Sequence, residues 1–146
     1  MSTTKQEEME KTIRGLIDQM MTGQPDRISA MIKPTFVECD SEKLTLTMKY
    51  PALPWERNGI GILHGGITAT MFDFTAGILA IAQCGQNAVT VSMQLSYLRA
   101  TPVTGDIYVR ASTTKAGRRL IYVNAESWAE GEPDKLLVTA SCAFMA

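Results

Sequence analysis

The sequence predicts an α+β fold in which a curved antiparallel sheet is wrapped around one long central helix. Apolar residues recur with helical spacing from Ile67 to Ile81, and stretches with strand alternation stand on both sides of that segment. A single long helix is thus available to cover the sheet, and folding the sheet around it is the simplest layered solution. The 146 residues, 45% hydrophobic and 20% charged, fit one ordinary globular domain. At 16.0 kDa, surface scaling gives roughly 7,400 Å² for the folded chain against about 23,000 Å² unfolded, so a core forms without covalent staples.

The elements follow in order. Met9, Ile13, Leu16, Ile17, Met20 and Met21 recur three or four apart, which predicts an amphipathic helix from about Thr4 to Met21, stopped by Gly23 and Pro25. Met31 to Glu38 reads as a short irregular strand and Asp40-Ser41-Glu42 as a turn. Leu44, Leu46, Met48 and Tyr50 then alternate with polar residues as a half-buried strand does. Pro51, Pro54, Trp55, Asn58, Gly59 and Gly61 describe a loop. In the long helix Met71, Phe74 and Ile78 continue the apolar stripe, Ala69, Ala76, Gly77 and Ala80 keep other faces small, and Gly85 ends it.

Val89, Val91, Met93, Leu95 and Tyr97 form a clean alternating strand, with Thr90, Ser92, Gln94 and Ser96 expected on its opposite face. Ile107 to Thr113, Arg119 to Glu130 and Lys135 to Phe144 supply three more strands, with Lys115-Ala116-Gly117-Arg118 as a hairpin turn. The last strands carry apolar residues on both parities, so the sheet's far face and edges need cover that self-association can supply.

Composition excludes several functions. Fourteen basic against fifteen acidic residues leave a net charge of −1, with no concentrated basic field for nucleic acid. Three widely spaced cysteines, Cys39, Cys84 and Cys142, fit a reducing compartment. One histidine and no zinc spacing give no expected metal site, and no cofactor is expected. The polar, acidic N-terminus does not read as a secretory signal, and no apolar run is long enough for membrane insertion, so the expected location is cytoplasmic.

The chemistry concentrates in Asn58-Gly59-Ile60-Gly61-Ile62-Leu63-His64-Gly65-Gly66, followed nine residues after the histidine by Asp73. Glycines at a helix start permit close approach by a ligand, and first-turn amides can donate to an oxygen acquiring negative charge. Asp73, flanked by Phe72 and Phe74, must stay solvated, find a partner or have a use. If the helix is continuous, Gly65 and Asp73 stand about 12 Å apart along its axis, too far to grip one carbonyl carbon. A twofold dimer with antiparallel helices places Asp73 of one copy near Gly65 of the other. No serine or cysteine nucleophile elbow accompanies these residues.

Asn58, His64-Gly65-Gly66, Asp73, the strand Val89 to Tyr97 and Gly105-Asp106 together resemble the hotdog-fold acyl-CoA thioesterases of the phenylacetate-pathway type, from about Pro34 to Phe144. The resemblance implies one such domain over residues 1–146, a homodimer or homotetramer, and hydrolysis of an acyl-CoA to a carboxylic acid and CoA. It implies that the Gly65 amide polarises the thioester carbonyl and that Asp73 of the partner copy attacks it or activates water. His64 would order the loop or approach the sulfur, Asn58 would hold the loop or a water, and Thr90 would assist the carboxylate. Arg99, Lys115, Arg118 and Arg119 are candidates for the CoA phosphates. Met31, Phe36, Trp55 and Phe74 are candidates for an acyl pocket.

Plainer readings stand beside these. His64 and Asn58 can serve loop packing, Gly65 and Gly66 a tight turn, Thr90 strand polarity, and the basic cluster a solvated hairpin. Two alternatives to hydrolysis remain open: an acyl-thioester hydratase or dehydratase, in which a His and a carboxylate exchange protons, and a noncatalytic acyl-CoA-binding dimer.

Overall fold

The computed structural model describes residues 3–23 and 25–146. Helix α1 spans Lys5–Met21 and begins where the Thr4 hydroxyl accepts the Glu7 amide at 3.1 Å. A short helix α2, Ile28–Met31, follows, so the strand expected from Met31 starts later. Lys33 at φ +54° and Pro34 break the chain direction, and strand β1 runs Thr35–Asp40. Asp40 Oδ1 accepts from the amides of Glu42 and Lys43, closing the expected turn into strand β2, Thr45–Pro51. After one 3-10 turn at Pro54–Glu56, helix α3 runs Gly65–Cys84 and ends on Gly85 in the left-handed conformation. Strands β3 (Val89–Tyr97), β4 (Asp106–Ala116), β5 (Leu120–Ala129) and β6 (Val138–Met145) complete the chain. Lys115 and Ala116 stay in β4, paired with Tyr122 and Ile121 across a bulge, which moves the hairpin turn to Gly117-Arg118-Arg119.

The six strands form one antiparallel sheet in the order β1-β2-β4-β5-β6-β3, curved around α3 in the hotdog arrangement. Its inner face aligns Leu46, Met48 and Tyr50 of β2 with Ala111, Val109 and Ile107 of β4, and these close on Met71, Phe72, Ile78 and Leu79 of α3. Among the described residues, α3 is the helix with the length and hydropathy of a membrane span, and half of that stretch is buried inside the fold. Ile13 and Ile17 seat α1 on the same core, and Gln6 ties it to β1 through Cys39 O and the Ser41 amide. Helix α1 is thus tethered to the end of β1, while Thr35, Val37 and Glu38 stay exposed. On the outer face Trp128 stacks on Tyr108 at 5.8 Å and lies under the Arg110 guanidinium at 4.7 Å, so part of the expected bare surface is covered by its own side chains.

Two buried polar groups fix how α3 meets its surroundings. The Tyr50 hydroxyl lies 2.6 Å from Thr75 Oγ1 and donates to Met71 O at 3.1 Å, joining β2 to the middle of α3. Glu56, fully buried at the end of the 3-10 turn, accepts the Leu53 amide on Oε1 at 2.6 Å, while Oε2 has no partner among the described residues. Its main-chain carbonyl receives the His64 amide at 2.8 Å. Glu56 thus ties together the two ends of the loop leading into α3.

Tyr50→Phe leaves the ring packed and removes the hydroxyl, so urea unfolding should show a loss of about 1 kcal/mol; an unchanged midpoint would contradict a structural role for that contact. Burial pushes the Glu56 carboxyl up, and the Leu53 amide offsets part of that rise. A carboxyl raised on folding holds more protons in the folded state, so the stability it confers is full below the ordinary carboxylate range and is lost as pH rises through the raised value. Glu56→Gln should therefore gain stability relative to the parent as pH rises from about 4 to about 7. A stability difference that stays flat with pH would count against the buried carboxyl.

Candidate active site

The loop before α3 is organised from within. Asn58 Oδ1 accepts from the amides of Ile60 and Ile62 at 3.0 and 3.2 Å, and the Asn58 amide donates to Ile62 O at 2.8 Å. The side chain expected to hold the loop or a water is here holding the loop. Leu63 donates its amide to Thr101 O, which fastens the exit of the loop to the segment after β3.

His64 caps α3, with Nδ1 accepting the Gly66 amide at 3.0 Å. A neutral imidazole in this geometry carries its proton on Nε2, which is left as the outward donor. Gly66 has a local reason beyond ligand access, whereas Gly65 has room for ordinary contact. A Cβ on Gly66 would sit 3.3 Å from His64 Nδ1, and a Cβ on Gly65 would sit 3.4 Å from the Tyr97 ring. Tyr97, at the end of β3, donates its hydroxyl to Gly65 O at 2.6 Å. The Gly65 amide occupies the first helical position and has no acceptor among the described residues. A cavity of about 400 Å³ lies at this helix start, lined by Asn58, Gly65, Thr68, Tyr97, Arg99 and Thr101 among others.

Asp73 lies further along α3, at a different cavity of about 210 Å³ shared with Met20, Ile28, Phe74, Ile78, Thr90 and Phe144 among others. Thr90 Oγ1 donates to Asp73 Oδ1 at 2.6 Å, leaving Oδ2 without a protein partner among the described residues. Strict alternation expected Thr90 to point away from the helix with Ser92. The structure corrects this: a bulge places Val91 opposite no residue of β6, so Thr90 turns to α3 while Met93 and Leu95 keep their half-buried face. Cys142, buried nearby, has its thiol pushed up to about 11 by burial and by the Asp73 charge. At neutral pH it is a thiol, not a thiolate nucleophile.

The predicted site residues therefore fall into groups. Asn58, His64 and Gly65 cluster at the helix start, and Arg99 lines that cavity while donating to Leu136 O at 2.8 Å. Asp73 and Thr90 pair at the second cavity. Lys115, Arg118 and Arg119 line a third, of about 800 Å³, with Gln86 and Tyr122, and none of the three cations forms an ion pair among the described residues. Of the acyl-pocket candidates, Phe74 lines the Asp73 cavity, Phe36 lies under the Arg14 guanidinium, and Met31 and Trp55 are exposed. The structure adds Tyr97 and Glu56, which the sequence reading did not single out as site residues. A tyrosine closing an otherwise aliphatic strand face was the signal for the first; a lone acid inside a Pro-Trp loop was a weak one for the second.

Comparison with known proteins agrees with the fold. Residues 60–136 match the Thioesterase superfamily, a span containing His64, Gly65, Asp73, Thr90 and the basic hairpin. Acyl-coenzyme A thioesterase 13 of Mus musculus is 30% identical over 95 residues, 64% of this chain and 66% of that protein. The chain spans between 50% and 66% of the length of the curated relatives it matches. A phenylacetic acid degradation-related protein from Ralstonia eutropha JMP134 superimposes with a TM-score of 0.75 at 25% identity, over 89% of this chain and 98% of the other. The E. coli PaaI protein from the phenylacetic acid degradation operon shares the fold, with a TM-score of 0.82 over 97% of this chain and 95% of that one, at 13% identity. With more than half of its length matched, and with the sheet curved around α3 as described, the chain belongs to the hotdog-fold thioesterase superfamily.

Proposed function

We propose that the protein hydrolyses an acyl-CoA thioester to a carboxylic acid and CoA, at two equivalent sites each built from two copies of the chain. The observation that carries this reading is the state of Asp73: a carboxylate on a core helix, fixed through one oxygen by Thr90 and with the other free at the edge of an apolar cavity. The rest of the reaction needs an oxyanion donor, and the unengaged Gly65 amide is the matching group. Eight residues of helix separate the two by about 12 Å, and they open onto different cavities of one chain, so the reading assigns them to opposite copies.

The exposed edge of β3 supports that assembly. Val89, Val91 and Tyr97, with Leu98 just beyond the strand, are each more than half exposed there. The chain exposes 8333 Å², roughly a tenth above the monomer expectation of about 7,400 Å². Pairing β3 with its twofold copy would extend the sheet and set the two α3 helices side by side, with a dimer of dimers as the larger form. Residues 1–146 act in this reading as one domain in the cytoplasm.

In the chemical step the Gly65 amide, aided by the helix dipole, receives the carbonyl oxygen as it gains charge. Asp73 either takes a proton from the water that attacks the carbonyl carbon, or bonds to that carbon itself and, once the thiolate has left, forms a mixed anhydride that water hydrolyses to the acid and the free carboxylate. Collapse of the tetrahedral species breaks the C–S bond and releases the thiolate, which departs without a strong acid. His64 Nε2–H is the donor left to face the sulfur, and Asn58 keeps the loop in register. Lys115, Arg118 and Arg119, with Arg99 at the helix start, are the cations assigned to the CoA phosphates.

The test is thiol release from a panel of acyl-CoAs. Asp73→Asn keeps the size and the Thr90 contact but loses the charge, and should lower turnover by about 10²- to 10⁴-fold. Turnover in Asp73→Asn equal to that of the parent, or an altered acyl product formed without free thiol, would overturn the proposal.

A further inference from the structure

We infer that Tyr97 is a positioning residue for the oxyanion donor, acting with His64 as a two-ended clamp on the Gly65–Gly66 peptide. The inference rests on the proposed role of the Gly65 amide.

The carbonyl of Gly65 and the amide of Gly66 belong to one planar unit. Tyr97 Oη donates to the carbonyl end at 2.6 Å, and His64 Nδ1 accepts from the amide end at 3.0 Å. The preceding peptide, which carries the Gly65 N–H, is pinned through His64 O, the acceptor for the amides of Ile67 and Thr68 at 2.9 and 3.1 Å. Both peptides flanking the Gly65 Cα are therefore held by hydrogen bonds. This restraint matters because glycine is the residue least able to hold its own φ and ψ, and the Tyr97 ring packs beside Gly65, 3.4 Å from where a Cβ would stand. The ring that packs beside the glycine also carries the hydroxyl that restrains it.

Within one chain Tyr97 is 53% exposed, at the end of an edge strand, so the contact that fixes its hydroxyl is the bond to Gly65 O. Its partial burial raises the phenol, which keeps the hydroxyl a donor across the neutral range. An amide fixed in direction before the substrate arrives stabilises developing charge without reorganising, so the clamp should act on the transition state more than on binding.

Tyr97→Phe in the assembled protein tests this, because it keeps the ring against Gly65 and deletes only the donor. The expected result is a three- to tenfold fall in kcat, about the worth of one hydrogen bond, with KM unchanged. The Gly66 amide proton should also move upfield in the ¹H–¹⁵N spectrum, since its peptide loses a polarising partner. A kcat equal to that of the parent, a fall matched by a rise in KM, or an unmoved Gly66 resonance would overturn the inference. If neither the parent nor Asp73→Asn releases thiol from any acyl-CoA, the underlying reaction fails instead. The Gly66 resonance then still decides whether the clamp exists.

Discussion

The continuity of α3 is the constraint from which the rest follows. A continuous helix from Gly65 to Cys84 sets Gly65 and Asp73 about 12 Å apart along its axis, and core contacts run along its length. Met71, Phe72, Ile78 and Leu79 are buried in the sheet, and the Tyr50 hydroxyl holds the Met71 carbonyl. In the proposed reaction this spacing keeps the donor and the carboxylate apart within one chain. Joining them is then left to symmetry.

Strand β3 serves both groups. Near its start it brings Thr90 to Asp73, and at its end it brings Tyr97 to Gly65. It is also an edge of the sheet, where apolar side chains stand exposed. In the proposed assembly the strand that orients both groups is the strand that pairs, so association and activity are mechanically linked. A copy that fails to pair would lose the complementary half of each site and also the support for the strand that aims its own half.

Much of this was legible in the sequence because the signals were local. Thr4, Gly23 and Gly85 mark helix ends by capping chemistry, and the apolar spacing within α1, α3 and β2 matched the elements found. His64, Gly65 and Asp73 stood out by residue type and spacing. What escaped depended on contacts distant along the chain. A bulge at Val91 turned Thr90 to the helix against the simple alternation, and no local signal distinguishes a bulge from a regular strand residue. Tyr97 read as one more apolar strand position, because its hydroxyl partner lies 32 residues away. The burial of Glu56 was hidden inside a loop whose prolines announce irregular backbone and nothing about which side chain turns inward. The strand expected from Met31 starts only at Thr35, because Met31 ends α2 and Lys33, at φ +54°, interrupts the extended backbone.

The most direct measurement of the central claim is complementation between two inactive variants. Gly65→Pro deletes the proposed donor at a first helical position, which tolerates proline, and the extended His64 before it, at ψ 131°, suits a following proline. Asp73→Asn deletes the carboxylate. Unfolded and refolded together, the two chains pair at random, and each mixed dimer regains one site with both groups intact, so thiol release should return to about a quarter of the parent rate. Mixed dimers that form, as judged by mass, yet stay as inactive as either variant alone would contradict a site shared between two copies.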